Sequence, residues 1–171
     1  MMKDLYTTKE IGSTNTYSTS SINAYLNGEF LNKFDTGIQN TIVQAKVPYC
    51  SDPSNRVVKS GADGAPAKVF LLSAREIGLL PSNFSNSTTD GSKLDYFVAG
   101  SDGNSKRIAN YNGVATMWWT RSVATGSLYN EWFVFESGWF GNTSTKEVHG
   151  IRPAFILPFD TQVDFQGNIV I

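Results

Sequence analysis

The sequence predicts a domain of mixed helix and strand, with helical words early and strand words late. Three observations carry this. Apolar residues recur every four positions from Ile22 to Phe34. Ser73 and Glu76 stand three apart at the head of a second helical word. The last third alternates or runs apolar between turn residues. A chain of 171 residues fits one domain of ordinary size. At that length about 70% of the unfolded surface is buried on folding, so neither metal nor disulfide is required to hold a core. Residues 1–19 read as an N-terminal arm or edge segment, and 20–171 as a single domain.

The elements follow in order. In "SSINAYLNGEFLNKF", Ser20 or Ser21 can cap a helix over about 21–34, whose stripe is Ile22, Leu26, Phe30 and Phe34. "TIVQAKVPY" alternates and reads as a strand. Residues 51–67 read as a long turn-rich loop, and "KVFLLS" as a buried strand. In "LSAREIGLL" the Ser73–Glu76 capping box and the Leu72–Ile77 staple place a short helix from Ala74, stopped at Pro81. Residues 82–93 read as loop, "LDYFVAG" as a helical turn or short strand, and "SDGNSKRIANYNG" as loop ending in a turn at Asn112-Gly113. "ATMWWTRS", "EWFVFE" and "GIRPAFILP" read as strands, with "SGWFGNTS" as a Gly-rich turn carrying two exposed aromatics.

Composition narrows the function classes. Charged residues make up 17% and the formal net charge is -1, against about 25% charged residues in average soluble proteins. Polyanion binding needs a dense basic face, which argues against nucleic acid as a partner. In place of charge there are 18 Ser, 15 Thr, 14 Asn and 15 Gly. They suit a neutral, hydrogen-bonding surface and equally a loop-rich fold. Cys50 is the only cysteine, which excludes an intrachain disulfide. No apolar run approaches the ~20 residues that cross a bilayer, so no membrane insertion is expected. "MMKDLYTTKE" has no apolar h-region, so no signal peptide is expected, and an extracellular role would require lysis, a particle or a longer chain.

Catalytic and metal motifs are weak. His149, the only histidine, sits beside Gly150 at the entrance of a predicted strand without a nucleophile signature. One His and one Cys do not make a zinc site, and "DGNSK" fails as a calcium loop because Lys106 falls where an oxygen ligand belongs. No metal and no cofactor are expected. Asn83, Asn86 and Asn142 open N-x-[ST] sequons, about as many as chance supplies, so they carry no argument. Glu131 and Glu136 could be paired carboxylates. Five apart on one strand, however, they point to opposite faces, and they read as solvated or salt-bridged. In "MWWTRS", Trp118 and Trp119 also face opposite sides. At least one indole belongs inside, and an inward Arg121 would need a carbonyl cluster or a carboxylate.

The words "SSINAYLNGEFLNKF", "VFLLSAREI", "WWTRS" and "HGIRPAFIL", in that order and spacing, resemble an uncharacterised domain family of clostridia, other Firmicutes and their phages. Its pattern runs from a serine-led helix through "vFLLS..E" and "yWLRSP" to "GVRPAf.l", and the resemblance covers about residues 18–158. That family in turn is similar to the C-type-lectin-like fold, which also houses formylglycine-generating enzymes and variable receptor-binding proteins. The resemblance implies an α+β domain with two helices packed on a twisted antiparallel sheet and long irregular loops. It implies scaffold roles for Trp119, Arg121 and Arg152, the arginines holding loop carbonyls; Trp119 then reads as core and Trp118 as partly covered. Thr120 and Val123 replace the family's leucine and proline, and its leading strands have no clear counterpart in 1–19. Formylglycine-generating chemistry needs paired cysteines, so it is not implied.

The resulting expectation is a non-catalytic binding module on a virion or cell surface. It would meet a cell-surface glycan or protein through Tyr111, Asn112, Tyr129, Asn130, Trp139, Phe140 and Asn142. Rigid aromatics beside adaptable amides give contact area with hydrogen bonding. One alternative is a structural or decoration subunit of a phage capsid or tail, with other virion subunits or further copies of itself as partners. Another, weaker, is a hydrolase, which would require Glu131, Glu136 and Asp160 to share a cleft.

Overall fold

Strand β9 (Trp118–Val123) is buried along its whole length, and the other elements are arranged around it. The computed structural model describes residues 1–79 and 89–162. The Pro81 stop and the sequons at Asn83 and Asn86 lie outside them.

In chain order, β1 (Thr7–Lys9) is followed by α1 (Ser21–Tyr25), which continues through a π turn (Leu26–Phe30) and a 3-10 turn (Leu31–Lys33). Ser20 caps α1 by accepting from the Asn23 amide at 3.2 Å. Ile22, Leu26 and Phe30 are buried, as their spacing predicts. The widened turn places Asn27 against the chain at 68–69. Its Oδ1 accepts from the Lys68 and Val69 amides, and its Nδ2 donates to the Val69 carbonyl. One amide thus ties the helix to the sheet segment beside it.

Between 34 and 67 the structure is more regular than the sequence predicts. Asp35 caps an unforeseen helix, α2 (Thr36–Thr41), by accepting from the Ile38 amide at 2.9 Å. The expected strand over 41–49 is reduced to β2 (Ala45–Val47), and β3 (Tyr49–Asp52) follows. The expected loop at 51–67 carries β4 (Val57–Lys59) and β5 (Ala65–Ala67), paired with β3 and β2 respectively. Three-residue strands between Gly and Pro show too little periodicity to be read from sequence. β6 (Val69–Phe70) comes next.

At 73–79 the capping box is present in both directions. The Ser73 amide donates to Glu76 Oε2 at 2.9 Å, and the Glu76 amide donates to Ser73 Oγ at 3.1 Å. The expected helix, however, is a single turn. Gly78 at φ +75° lets the Leu79 amide reach the Ala74 carbonyl and its own amide reach that of Arg75, both at 2.9 Å. This is the Schellman pattern, which stops a helix. The expected loop at 101–113 likewise contains a 3-10 turn (Ser101–Gly103), α3 (Asn104–Arg107) and β7 (Asn110–Tyr111). The turn at Asn112-Gly113 is present, with φ of 51° and 82°, joining β7 to β8 (Val114–Ala115).

The last third is β, as expected: β9, β10 (Asn130–Val134), β11 (Phe140–Ser144), β12 (His149–Ile151) and β13 (Ala154–Phe155). The stretch expected to be a Gly-rich turn is therefore strand from Phe140 onward. The main sheet runs β1-β12-β9-β10-β11, antiparallel except between β12 and β9, and β13 pairs with β6. The fold is α+β and mostly sheet, with three short α-helices among the described residues rather than the two helices the sequence suggests.

Both indoles of "MWWTRS" are fully buried in one apolar cluster, which corrects the expectation for Trp118. β9 is covered on both faces. Trp119 packs edge-on to Phe133 and donates Nε1 to the Lys9 carbonyl of β1 at 2.9 Å. Trp118 lies beneath the Arg152 guanidinium, 5.1 Å from its ring, and donates to the Arg107 carbonyl at 2.9 Å.

Gly138 tests the close approach between α3 and the β10–β11 turn. At φ +81°, a Cβ there would lie 2.1 Å from the Asn104 carbonyl oxygen. Gly138→Ala is expected to cost about 2–4 kcal/mol by urea unfolding, from steric displacement plus left-handed strain. Gly126→Ala, also left-handed (φ +90°) but in open space, should cost only about 1 kcal/mol.

Candidate functional site

The interior is joined by an irregularity in β9. Opposite β10, Val123 faces Glu131 and Trp119 faces Phe133, so four steps of one strand answer two of the other. The Thr120 hydroxyl fills the gap by donating to the Trp132 carbonyl at 2.8 Å. The Arg121 amide instead donates to the Leu72 carbonyl at 3.1 Å. Such a bulge re-aims the side chain at its crest, here Arg121.

The Arg121 guanidinium donates to the carbonyls of Pro48, Leu71 and Asp90 and pairs in bidentate fashion with Glu76, at 2.6 and 2.7 Å. Burial disfavours its charge, but the Glu76 carboxylate more than offsets this and holds its pKa above the ordinary arginine value. Beside it, Ser122 Oγ donates to Asp90 Oδ2 at 2.6 Å and accepts from the Ala74 amide. The Tyr17 hydroxyl accepts from the Leu71 amide. Four distant segments therefore meet at one guanidinium.

Two further arginines are buried. Arg152 donates to the carbonyls of Met2 and Arg107. Arg107, which the sequence reading placed in an undistinguished loop, donates to the carbonyls of Gly138, Ile77, Val98 and Gly100 and to Asn104 Oδ1. No spacing or motif marks it out beforehand.

The acidic residues behave differently from expectation. Glu131 is neither solvated nor, among the described residues, salt-bridged: it is fully buried, and neither carboxyl oxygen has a hydrogen-bond partner there. Burial, and secondarily the nearby Asp90 charge, push its pKa well above the ordinary value. Asp90 is also raised, by burial, against the pull of Arg121. Glu136 and Asp160 are exposed, so the three acids of the hydrolase reading do not share a cleft. His149 is wedged between Trp119 and Phe133, with ring centroids 4.4 and 4.6 Å away, and burial lowers its pKa. The Cys50 thiol is pushed up to about 11 by burial, the opposite of nucleophilic activation. No cluster of three or more His, Cys, Asp or Glu among the described residues could hold a metal.

The residues expected to make contacts fall into three groups. Tyr129, 60% exposed, overhangs a polar cleft of about 410 Å³ lined also by Ser13, Ser144, Thr145 and Lys146. On the same hairpin Asn130 Nδ2 donates to Asn142 Oδ1 at 3.2 Å. Trp139, 42% exposed, packs on Phe140 at 4.8 Å, and Phe140 rests on Trp132. The register pairs Asn130 with Ser144 and Val134 with Phe140, so these two groups lie at opposite ends of the hairpin, roughly 13 Å apart at the rise of a strand. Tyr111 is partly packed on the core and Asn112 is exposed at the separate β7–β8 turn. The cleft residues beside Tyr129 were missed because Ser, Thr and Lys in a polar stretch carry no distinguishing pattern.

The chain belongs to the family described as Domain of unknown function (DUF6273), which matches residues 2–159. The match begins ahead of β1, so the segment that the sequence reading left without a family counterpart is part of the family's domain. No curated protein matches the chain, and no solved structure does. Among the described residues no helix is long and apolar enough to cross a membrane.

Arg121→Leu removes five donors and strands the Glu76 carboxylate. A loss of about 3–5 kcal/mol is expected in denaturant unfolding. For Glu131, the folded state keeps a proton that the unfolded chain releases above its ordinary pKa of about 4.5. Stability should therefore fall as pH rises through that value toward the raised folded-state pKa. E131Q removes this dependence: its melting temperature should exceed the parent's at pH 8, with the gap closing toward pH 4. A gap independent of pH would show that the Glu131 pKa does not change on folding.

Proposed function

We propose that this chain is a non-catalytic binding module of C-type-lectin-like type, displayed on a phage particle or cell surface, that recognises a glycan. The single observation that carries the reading is the Tyr129 cleft. The exposed Tyr129 shares a cleft with Ser13, Ser144, Thr145 and Lys146, and the Asn130–Asn142 amide pair lies on the same hairpin. A ring supplies a stacking face for a pyranose and the hydroxyls and amides supply its hydrogen bonds, and a neutral sugar brings no charge of its own to desolvate. The low surface charge supports this choice over a polyanion. The surface setting and the lectin-like assignment rest on the resemblance of the "WWTRS" and "GIRPAF" words to a clostridial and phage family, and site argument rather than fold carries the ligand class.

The Trp139–Phe140 pair at the far end of the hairpin supports a second contact, with a protein partner or another subunit, because a half-exposed indole backed by a buried one is a typical anchor. Oligomeric state separates the two uses. A trimer or ring that loses its assembly on Trp139→Ala assigns that end to subunit packing, whereas a monomer leaves it free for a ligand.

A glycan array on the purified chain, followed by titration of each hit, tests the proposal. Tyr129→Ala is expected to weaken binding about tenfold, equivalent to some 1.4 kcal/mol of lost stacking, with an unchanged melting temperature. An array blank at high protein concentration, or full affinity in the variant, overturns the glycan assignment.

A further inference from the structure

A second cleft, of about 370 Å³, lies away from the β10–β11 hairpin, between the N-terminal residues and the segment after Lys93. Its walls are apolar: Leu72, Leu94, Tyr96 and Phe97. Leu94 and Tyr96 are unusually open for such side chains, at 43% and 58% exposure. Its cationic groups include Arg152, itself 3% exposed, and the exposed Lys3, and among the described residues no acidic side chain lines it.

Arg152 differs from the other buried arginines. Arg121 has the Glu76 carboxylate, and all of the Arg107 guanidinium nitrogens donate to acceptors. Arg152 uses Nε and Nη1 on carbonyls, while among the described residues no acceptor meets Nη2 and no carboxylate pairs with the group. The acid that acts on it, Asp4, instead accepts weakly from Asn110, at 3.4 and 3.5 Å. A buried cation without a counter-ion is costly, and a fork with a free donor edge suits a carboxylate.

We infer that this cleft binds a small organic acid: a carboxylate carried on an apolar aliphatic or aryl body. The carboxylate meets Arg152 Nη2 with Lys3 reinforcing the charge, and the body lies between Leu94, Tyr96 and Phe97. The volume lies at the small end of ligand pockets, which suits a body of roughly ten heavy atoms rather than a folded partner. The site is independent of the Tyr129 cleft, so either assignment can fail alone.

The test uses the full chain and two probes of one shape, 4-phenylbutyrate and 4-phenylbutanol, followed by amide chemical shifts. Saturable shifts at Phe97 and Lys3 are expected with the acid, and at least tenfold weaker binding with the alcohol. Lys3→Glu reverses the reinforcing charge and should weaken the acid at least tenfold without moving the alcohol, whereas Leu94→Glu removes part of the apolar wall and should weaken both probes. Two exposed positions are used so that a folding defect in one leaves the other informative. Equal binding of acid and alcohol, shifts confined to the Tyr129 hairpin, no saturation, or acid binding unaffected by both substitutions would each overturn the inference.

Discussion

The bidentate pair between Arg121 and Glu76 is the contact on which the irregular half of this fold depends. It joins a strand bulge to a single capped turn, and the same guanidinium reaches the carbonyls at Pro48, Leu71 and Asp90. Those segments have few ladder bonds of their own. A loop that packs inside a protein must still satisfy its backbone groups, and a planar five-donor cation is the side chain best able to satisfy several carbonyls at once. Glu76 has two duties, since it also accepts from the Ser73 amide. Loss of either partner would therefore uncap the turn and release the bulge together.

A low-charge chain thus uses three of its five arginines internally. Arg107, Arg121 and Arg152 are all buried, and each donates to main-chain carbonyls. The indoles complete the arrangement: each is stacked or packed on its face and hydrogen-bonded at its edge. The main sheet consequently has two covered faces along β9, while the β10–β11 hairpin keeps one end aromatic and one end polar. This separation of rigid interior from neutral, hydroxyl- and amide-bearing exterior is what favours contact over catalysis in the proposed reading. Glu131 is sealed, and His149 is wedged between rings.

Glu131 is the most exacting of several buried groups left short of hydrogen bonds among the described residues, which also include Asp90 Oδ1, Thr125 Oγ1 and His149 Nε2. Its neighbours across the sheet are Val123 and Thr143, and burial favours the neutral acid. A carboxyl kept protonated by its surroundings is a stability liability at high pH rather than a scaffold contact, so the sheet at this position is not optimised for stability alone.

The sequence by itself determined the strong local signals: the Ser20 cap and its stripe, the Ser73–Glu76 box, the Asn112-Gly113 turn, and the strand words of the last third. Each depends on residues within four positions of one another, where propensity and capping act without help from the rest of the chain. The partners an inward Arg121 would need, carbonyls and a carboxylate, were also legible, because an inward charge admits few solutions. Only the tertiary structure decided that both Trp118 and Trp119 are inside, since strand alternation shows two faces but not what covers them. The same holds for Arg107, for the two ends of the hairpin, and for Glu131, whose environment is set by a register shift and by a residue forty-one positions away. Long-range pairing brings those groups together, and no local pattern encodes it.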